Sequence, residues 1–225
     1  MRPAAGPRRA ALAALLPALL LAGGCAPGRQ ALRGEEARTA SEFFAACEAV
    51  AFPVVASFTA SAEFRGRTVP FVAGVNAQAP GLETLGLYDP LGHAVLLLDN
   101  EGGQVRVSRG PAAEEFPDAG LDRIPPAGIV VRADGLSFGR ILAGAPGYPV
   151  TGGEPGRGAD GAWVLSDGPQ TLFTDPSRRL LARAEYEISG RRVTVSYPGR
   201  EGSGPPRVVA IEARGAKMML RRDVE

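Results

Sequence analysis

The residues able to do chemistry in this 225-residue chain are few and scattered. It has one histidine, His93, and two cysteines, Cys25 and Cys47. A Ser-His-Asp arrangement needs a base placed beside a nucleophile, and no serine or cysteine here sits in a strand-turn-helix nucleophile context. His93 follows the turn Asp89-Pro90-Leu91-Gly92 at the start of an apolar run and reads as a surface histidine. Glu114, Glu115, Asp118 and Asp122 crowd a proline-rich loop and read as a solvated charge run, not as paired catalytic carboxylates. No HExxH motif, paired-histidine spacing or cysteine cluster argues for a metal, and no glycine-rich phosphate loop opens a helix. The expectation is a protein that is not an enzyme and holds neither metal nor cofactor.

The N-terminus carries a different chemistry. Arg2, Arg8 and Arg9 precede an apolar run from Ala10 to Leu21, and "LAGGC" ends at Cys25. This is an export signal, too short for a confident membrane span and followed by no stop-transfer pattern. Small residues before a cysteine resemble the bacterial lipobox, in which the sulfur of Cys25 would receive diacylglycerol and the signal would be cut before it. An ordinary export signal with an incidental cysteine is the alternative. Stable attachment takes two acyl chains, and the resemblance implies three. Ala26 stands where an aspartate would resemble an inner-membrane retention signal, so the expected location is the outer membrane, lipid-anchored and facing the periplasm. Without the three arginines of residues 1–24, the mature chain has 22 basic against 24 acidic residues, which gives no attraction for nucleic acid. The expected division is a signal peptide over 1–24, a lipidated cysteine and flexible tether over 25–40, and a folded body over 41–225.

The chain as a whole has the composition of a β-rich globular protein: 45% hydrophobic residues, thirty glycines and twenty prolines spread among short runs. A helix is predicted from the cap candidate Ser41 to about Phe52, stopped by Pro53. It carries Phe43, Phe44, Cys47 and Ala51 on one face, so Cys47 reads as a buried thiol, with a reactive cysteine as the minority alternative. Period-two alternation then begins in "SFTASAEF" and "TVPFVAGVNA" and continues through "ETLGLYD", "HAVLLLD" and "QVRVSRG". A proline-rich loop, a possible strand at "GIVVRA" and a short helix at "DGLSFGRILAG" follow, the helix having Leu136, Ile141 and Leu142 as an apolar stripe. Residues 147–161 read as a long flexible loop. Six more strands run from "AWVLSD" to "KMMLRRDV".

The count is ten or eleven antiparallel strands in one domain, with one helix before them and one inserted. A sheet of this size must curl, and helices can occupy its concave side. The expected fold is mainly β, a half-open antiparallel barrel. Its inward candidates are Phe58, Phe64, Val69, Phe71, Leu85, Leu87, Val95, Leu97, Val193 and Val195. They form either a filled core or a greasy cavity lidded by the helices, and the sequence leaves both open.

Several segments taken together resemble the LolB-type outer-membrane lipoprotein receptors: the lipobox and tether, "FTASAEFRGR", "LGLYDPLGHAVLLLDNEGGQVRV", "RILAGAPGYPV", "AEYEISGRRVTVSY" and "PRVVAIEARGAKMMLRRDV". The most specific part is a strand, the Asp89-Pro90-Leu91-Gly92 turn, an apolar strand and a glycine turn. The resemblance implies a half-open barrel with a helical lid over a hydrophobic cavity. It also implies acylated lipoproteins as cargo, delivered by a periplasmic LolA-like carrier and inserted into the outer membrane by a membrane-anchored monomer. Leu91 matches the exposed loop leucine that the family uses during insertion; the alternative is that Leu91 folds back against Leu87 or Val95. The chain departs from the family in its long Gly/Pro loop and in lacking a "W-x-L-G" segment after the short helix. Two other readings stand beside this one: a lipoprotein carrying another lipid or glycolipid, and an assembly lipoprotein whose filled barrel binds a protein partner.

Overall fold

A computed structural model describes residues 29–64, 66–116, 121–213 and 215–223. Cys25, the segment expected as a signal peptide and Asp118 lie outside the described residues. The described chain forms one antiparallel sheet of fourteen strands, with two short helices against it. The first half contributes β1 (Gln30–Ala31), β2 (Val54–Phe64), β3 (Arg67–Ala79), β4 (Leu82–Tyr88), β5 (Ala94–Glu101), β6 (Gln104–Arg109) and β7 (Ile129–Arg132). The second contributes β8 (Pro155–Arg157), β9 (Trp163–Asp167), β10 (Gln170–Thr174), β11 (Leu181–Ile188), β12 (Arg191–Ser196), β13 (Val208–Ala213) and β14 (Ala216–Arg222).

Two meanders, β2 to β7 and β8 to β14, join where β14 pairs with β2, and β1 adds to the outer side of β8. The strand order ends on β1 and β7, so the sheet is open. The protein is therefore mainly β, an open, curled antiparallel sheet. The extra strands beyond the expected ten or eleven include β1 and β8, two and three residues long. Segments so short carry no readable alternation, and their pairing is a tertiary event.

Alternation decides which face is inside. Phe58, Ala60 and Ala62 on β2 lie opposite Ala73, Phe71 and Val69 on β3, and all but the part-buried Val69 are buried. Each buried phenylalanine or leucine of this face contributes about 1.5–3 kcal/mol. Across the sheet the inward series continues through Val195 on β12, Val209 on β13 and Leu220 on β14.

Helix α1 (Gly34–Ala46) begins seven residues earlier than the predicted start at Ser41. The Ser41 hydroxyl donates to the Ala37 carbonyl at 3.0 Å, a bond made inside a helix, so Ser41 is not its cap. Glu35 and Glu36 in the first turn favour the positive end of the helix dipole. The folded body thus starts by Gln30, inside the segment expected as a tether. Helix α2 (Phe138–Leu142) falls where expected, with Leu136, Ile141 and Leu142 buried. It lies on the concave side so closely that a Cβ on Gly139 would stand 2.6 Å from the Cβ of Ala77.

Residues 147–161 are held rather than loose. The Val150 amide donates to Glu48 at 2.7 Å, the Thr151 amide to Asp167 at 2.6 Å, and β8 pairs with β9. These partners are distant in sequence, which is why the segment reads locally as a flexible loop.

Candidate functional site: the mouth of the half-barrel

Because every pair is antiparallel, the hairpin turns fall alternately at the two ends of the sheet. One rim carries the turns β2–β3, β4–β5, β9–β10, β11–β12 and β13–β14. The other rim is plugged from within. There the Tyr197 hydroxyl donates to the Ile141 carbonyl at 3.0 Å and Arg222 to the Leu142 carbonyl at 3.0 Å, while nearer the open rim the Gly147 amide donates to the Tyr186 hydroxyl at 3.0 Å. Burial pushes both tyrosine hydroxyls well above their ordinary pKa.

The plug is anchored by charge. Glu83 is buried and accepts from the Ser137 hydroxyl, from the Phe138 amide at 2.6 Å and from the Gly139 amide at 3.3 Å, so a carboxylate closes the first turn of α2. Arg140 on the same helix pairs with Glu48 at 2.9 Å. Below α1, Glu36 meets Arg157, Arg178 and the Trp163 indole N–H. That indole bond, opposed by burial and reinforced by the two arginines, holds the Glu36 carboxyl below the usual carboxylate range.

At the open rim the hairpins β11–β12, β13–β14 and β2–β3 stand proud. The pairing of β3 with β4 begins only at Val72 with Tyr88, leaving Arg67 to Phe71 beyond the end of β4. Under these hairpins is a cavity of about 1400 Å³. It exceeds the roughly 300–1,000 Å³ of ordinary small-ligand pockets. Its apolar wall is Ile129 and Val131 on the edge strand β7, and Ile188, Val193, Ala213 and Ala216 on the hairpins facing it. All six lie on the inward register, and their meeting around one space shows how far the sheet curls. Glu63, Arg191, Arg192, Glu212 and Lys217 make its charged rim.

The β4–β5 turn belongs to the same rim and is rigidly built. The Asp89 Oδ1 accepts from the Leu91 amide at 2.9 Å and the His93 amide at 2.8 Å, and the Gly92 amide donates to the Asp89 carbonyl at 3.0 Å. Gly92 takes φ +89°, a conformation that costs glycine nothing. Leu91 is 82% exposed at the tip, pointing outward rather than back against Leu87 or Val95. His93 is exposed, with Nδ1 3.0 Å from Asp89 Oδ2. Burial works to raise the Asp89 pKa, but the bonds from the two amides and the His93 ring outweigh it, and the carboxyl stays below its ordinary range.

Of the ten inward candidates, Phe58, Phe71, Leu87, Val95 and Val195 are buried in the packed core, with Val69 and Leu85 partly buried against it. Among the described side chains of the ten, Val193 lines the mouth cavity. Leu97 faces the other way: it pairs with Gly86, while Leu96 and Leu98 pair with Leu87 and Leu85. An irregularity at Leu87/Tyr88 adds one residue to β5 near Val95, and one residue exchanges the faces of a strand. The Phe64 side chain lies outside the described residues. No residue of α1 or α2 lines the mouth cavity, so the helices fill one end of the half-barrel and do not lid this space.

Sequence reasoning missed Glu83 and Asn100, which face inward opposite each other. The signal for Glu83 was present, since it continues the alternation of Leu85 and Leu87. It also missed Ile129, Val131, Ile188, Ala213 and Ala216 as a wall, because they come together only when the sheet curls. Among the described residues no group of histidine, cysteine or carboxylate side chains is arranged to hold a metal ion.

No family model matches the chain, and no curated protein matches it. Among solved structures it is similar to a LolA superfamily protein from Nitrosomonas europaea, at 14% identity over 84% of this chain and 91% of that one, with a TM-score of 0.43. It is also similar to a DUF1329 family protein from Desulfovibrio piger, at 11% identity over 84% and 92%, with a TM-score of 0.47. A third similar structure is a putative outer membrane lipoprotein-sorting protein domain from Vibrio parahaemolyticus, at 10% identity over 84% and 91%, with a TM-score of 0.44.

Proposed function

We propose that this protein binds acyl chains in the mouth of its half-barrel and, anchored to the outer membrane through Cys25, accepts acylated lipoproteins from a periplasmic LolA-like carrier and helps insert them. The observation that carries the reading is the roughly 1400 Å³ space with its inward wall of isoleucine, valine and alanine, open at the rim. Each buried acyl methylene is worth about 0.8 kcal/mol, so a wall of this extent can hold part of a lipid against water without covalent chemistry. The handoff needs only a gradient of affinity from donor to receiver to bilayer, with no nucleotide and no catalytic residue. Leu91, held outward on the same rim, would contribute about 1.5–3 kcal/mol on entering lipid, enough to loosen an interface and too little to hold the body there.

The test uses the chain from residue 26 onward, which retains every described element. A fluorescent fatty-acyl probe is expected to bind with a stoichiometry of one or more per protein. No binding at micromolar protein would remove the proposal. Leu91→Glu is expected to bind the probe as the parent does and to lose lipoprotein insertion; unchanged insertion would take Leu91 out of the mechanism.

A further inference from the structure

The mouth cavity carries an inward-facing charge that the packing around it does not satisfy. Of its charged lining residues, Glu63, Arg192, Glu212 and Lys217 occupy the outer register positions of their strands, whereas Arg191 lies opposite Ile188, on the inward face. Lys217 is committed to Glu212 at 2.9 Å, and Arg192 faces Glu185 at 3.8 Å. Arg191 has no ion-pair or hydrogen-bond partner among the described residues. Its neighbours on the inward face, Ile188, Val193, Ala213 and Ala216, are apolar. The Arg191 guanidinium therefore stands at the head of an apolar stripe, in solvent while the cavity is open.

When acyl chains fill the mouth they expel water, and an arginine left beside them without a partner loses hydration and gains nothing for it. An anion attached to the chains reverses that balance, because a guanidinium binds a phosphate or carboxylate through a two-pronged, charge-assisted contact. We propose that the cavity selects amphiphiles bearing an anionic group, a phosphate or a carboxylate, which sits on Arg191 while the chains lie along Val193, Ala213 and Ala216 and across to Ile129 and Val131. The proposal rests on the acyl-binding reading; a triacylated cysteine has neither phosphate nor carboxylate beside its chains, so the preference concerns fatty acids or phospholipids that enter the same mouth and not the lipoprotein itself.

The experiment compares cis-parinaric acid with its methyl ester, which share one chain and differ in the charge, at a pH where the acid is ionised. The acid is expected to bind the chain from residue 26 onward about tenfold more tightly than the ester, as one charge-assisted contact allows. Arg191→Gln is expected to bind acid and ester alike, and the ester no more weakly than the parent does, because an unpaired guanidinium no longer has to be dehydrated; retained ester binding also reports that the variant is folded. Arg106→Gln, an exposed change on β6, is expected to keep the preference. Equal binding of acid and ester by the parent, or an undiminished preference in Arg191→Gln, would overturn the proposal and leave acyl binding standing. Binding of neither probe would overturn acyl binding as well. Excess inorganic phosphate is expected not to displace the acid; displacement would show a site for free anions and also overturn the proposal.

Discussion

Asp89 does at the residue scale what the turn sequence alone leaves open. One carboxylate oxygen gathers the amides of Leu91 and His93, so the leucine is held at the tip and cannot turn back to the wall. Asp89→Ala is expected to leave the sheet folded while the Leu91 and His93 amides exchange with solvent faster; unchanged exchange would show that proline and glycine suffice. Since the folded Asp89 pKa is depressed, its contribution is complete above the ordinary carboxylate pKa and disappears as pH falls through the lower folded value. The exchange protection should therefore persist at neutral pH and vanish only in strong acid. Cys47 tests a second residue. Burial pushes its thiol up to about 11, with Arg200 pulling weakly the other way, so near pH 8 it should alkylate about 100-fold more slowly than in the unfolded chain. Rapid labelling of folded protein would revive the reactive alternative.

The element that organises the closed end is α2, five residues long and unable to persist by itself. Its stability is lent by Glu83 at the first turn, Arg140 paired with Glu48, and the backbone contact that Gly139 permits. Glu83→Ala should strand the Phe138 amide and the Ser137 hydroxyl and cost about 2–4 kcal/mol, measured by denaturant unfolding. A loss below about 0.5 kcal/mol would mean that water replaces the carboxylate. By contrast Leu91→Glu, on an exposed turn, should change stability by no more than about 0.5 kcal/mol. Much of the element list was legible: strands β2 to β6 and β9 to β14 announce themselves by alternation and by glycine or proline turns. Helix α1 was displaced because Ser41 is as plausible at a cap as inside a helix, and the choice falls to packing of Ala40 and Phe44. Leu97 was misread because a single irregular residue in β5 is invisible to a period of two.

For the whole molecule, the division of the interior matters most. Phe58, Trp163 and Tyr197 belong to a packed core at one end, while the space at the other end is bounded by β7 and the projecting hairpins. Ala213→Trp, placed in the mouth, should lower affinity for an acyl probe by about tenfold or more with little loss of stability. Unchanged affinity would move the site elsewhere in the molecule.

By itself the sequence determined the β-rich class, the hairpin turns, the inward faces of the regular strands and the aspartate-proline-leucine-glycine bend. All of these are local, written in residues within a few positions of one another. The tertiary structure alone decided that Ile129 and Val131 look across at Val193, Ala213 and Ala216, that α2 plugs one end, and that Arg191 is left without a partner among the described residues. Those facts depend on how far the sheet curls and on which distant strands meet, and curvature accumulates over fourteen strands without a mark in any one of them.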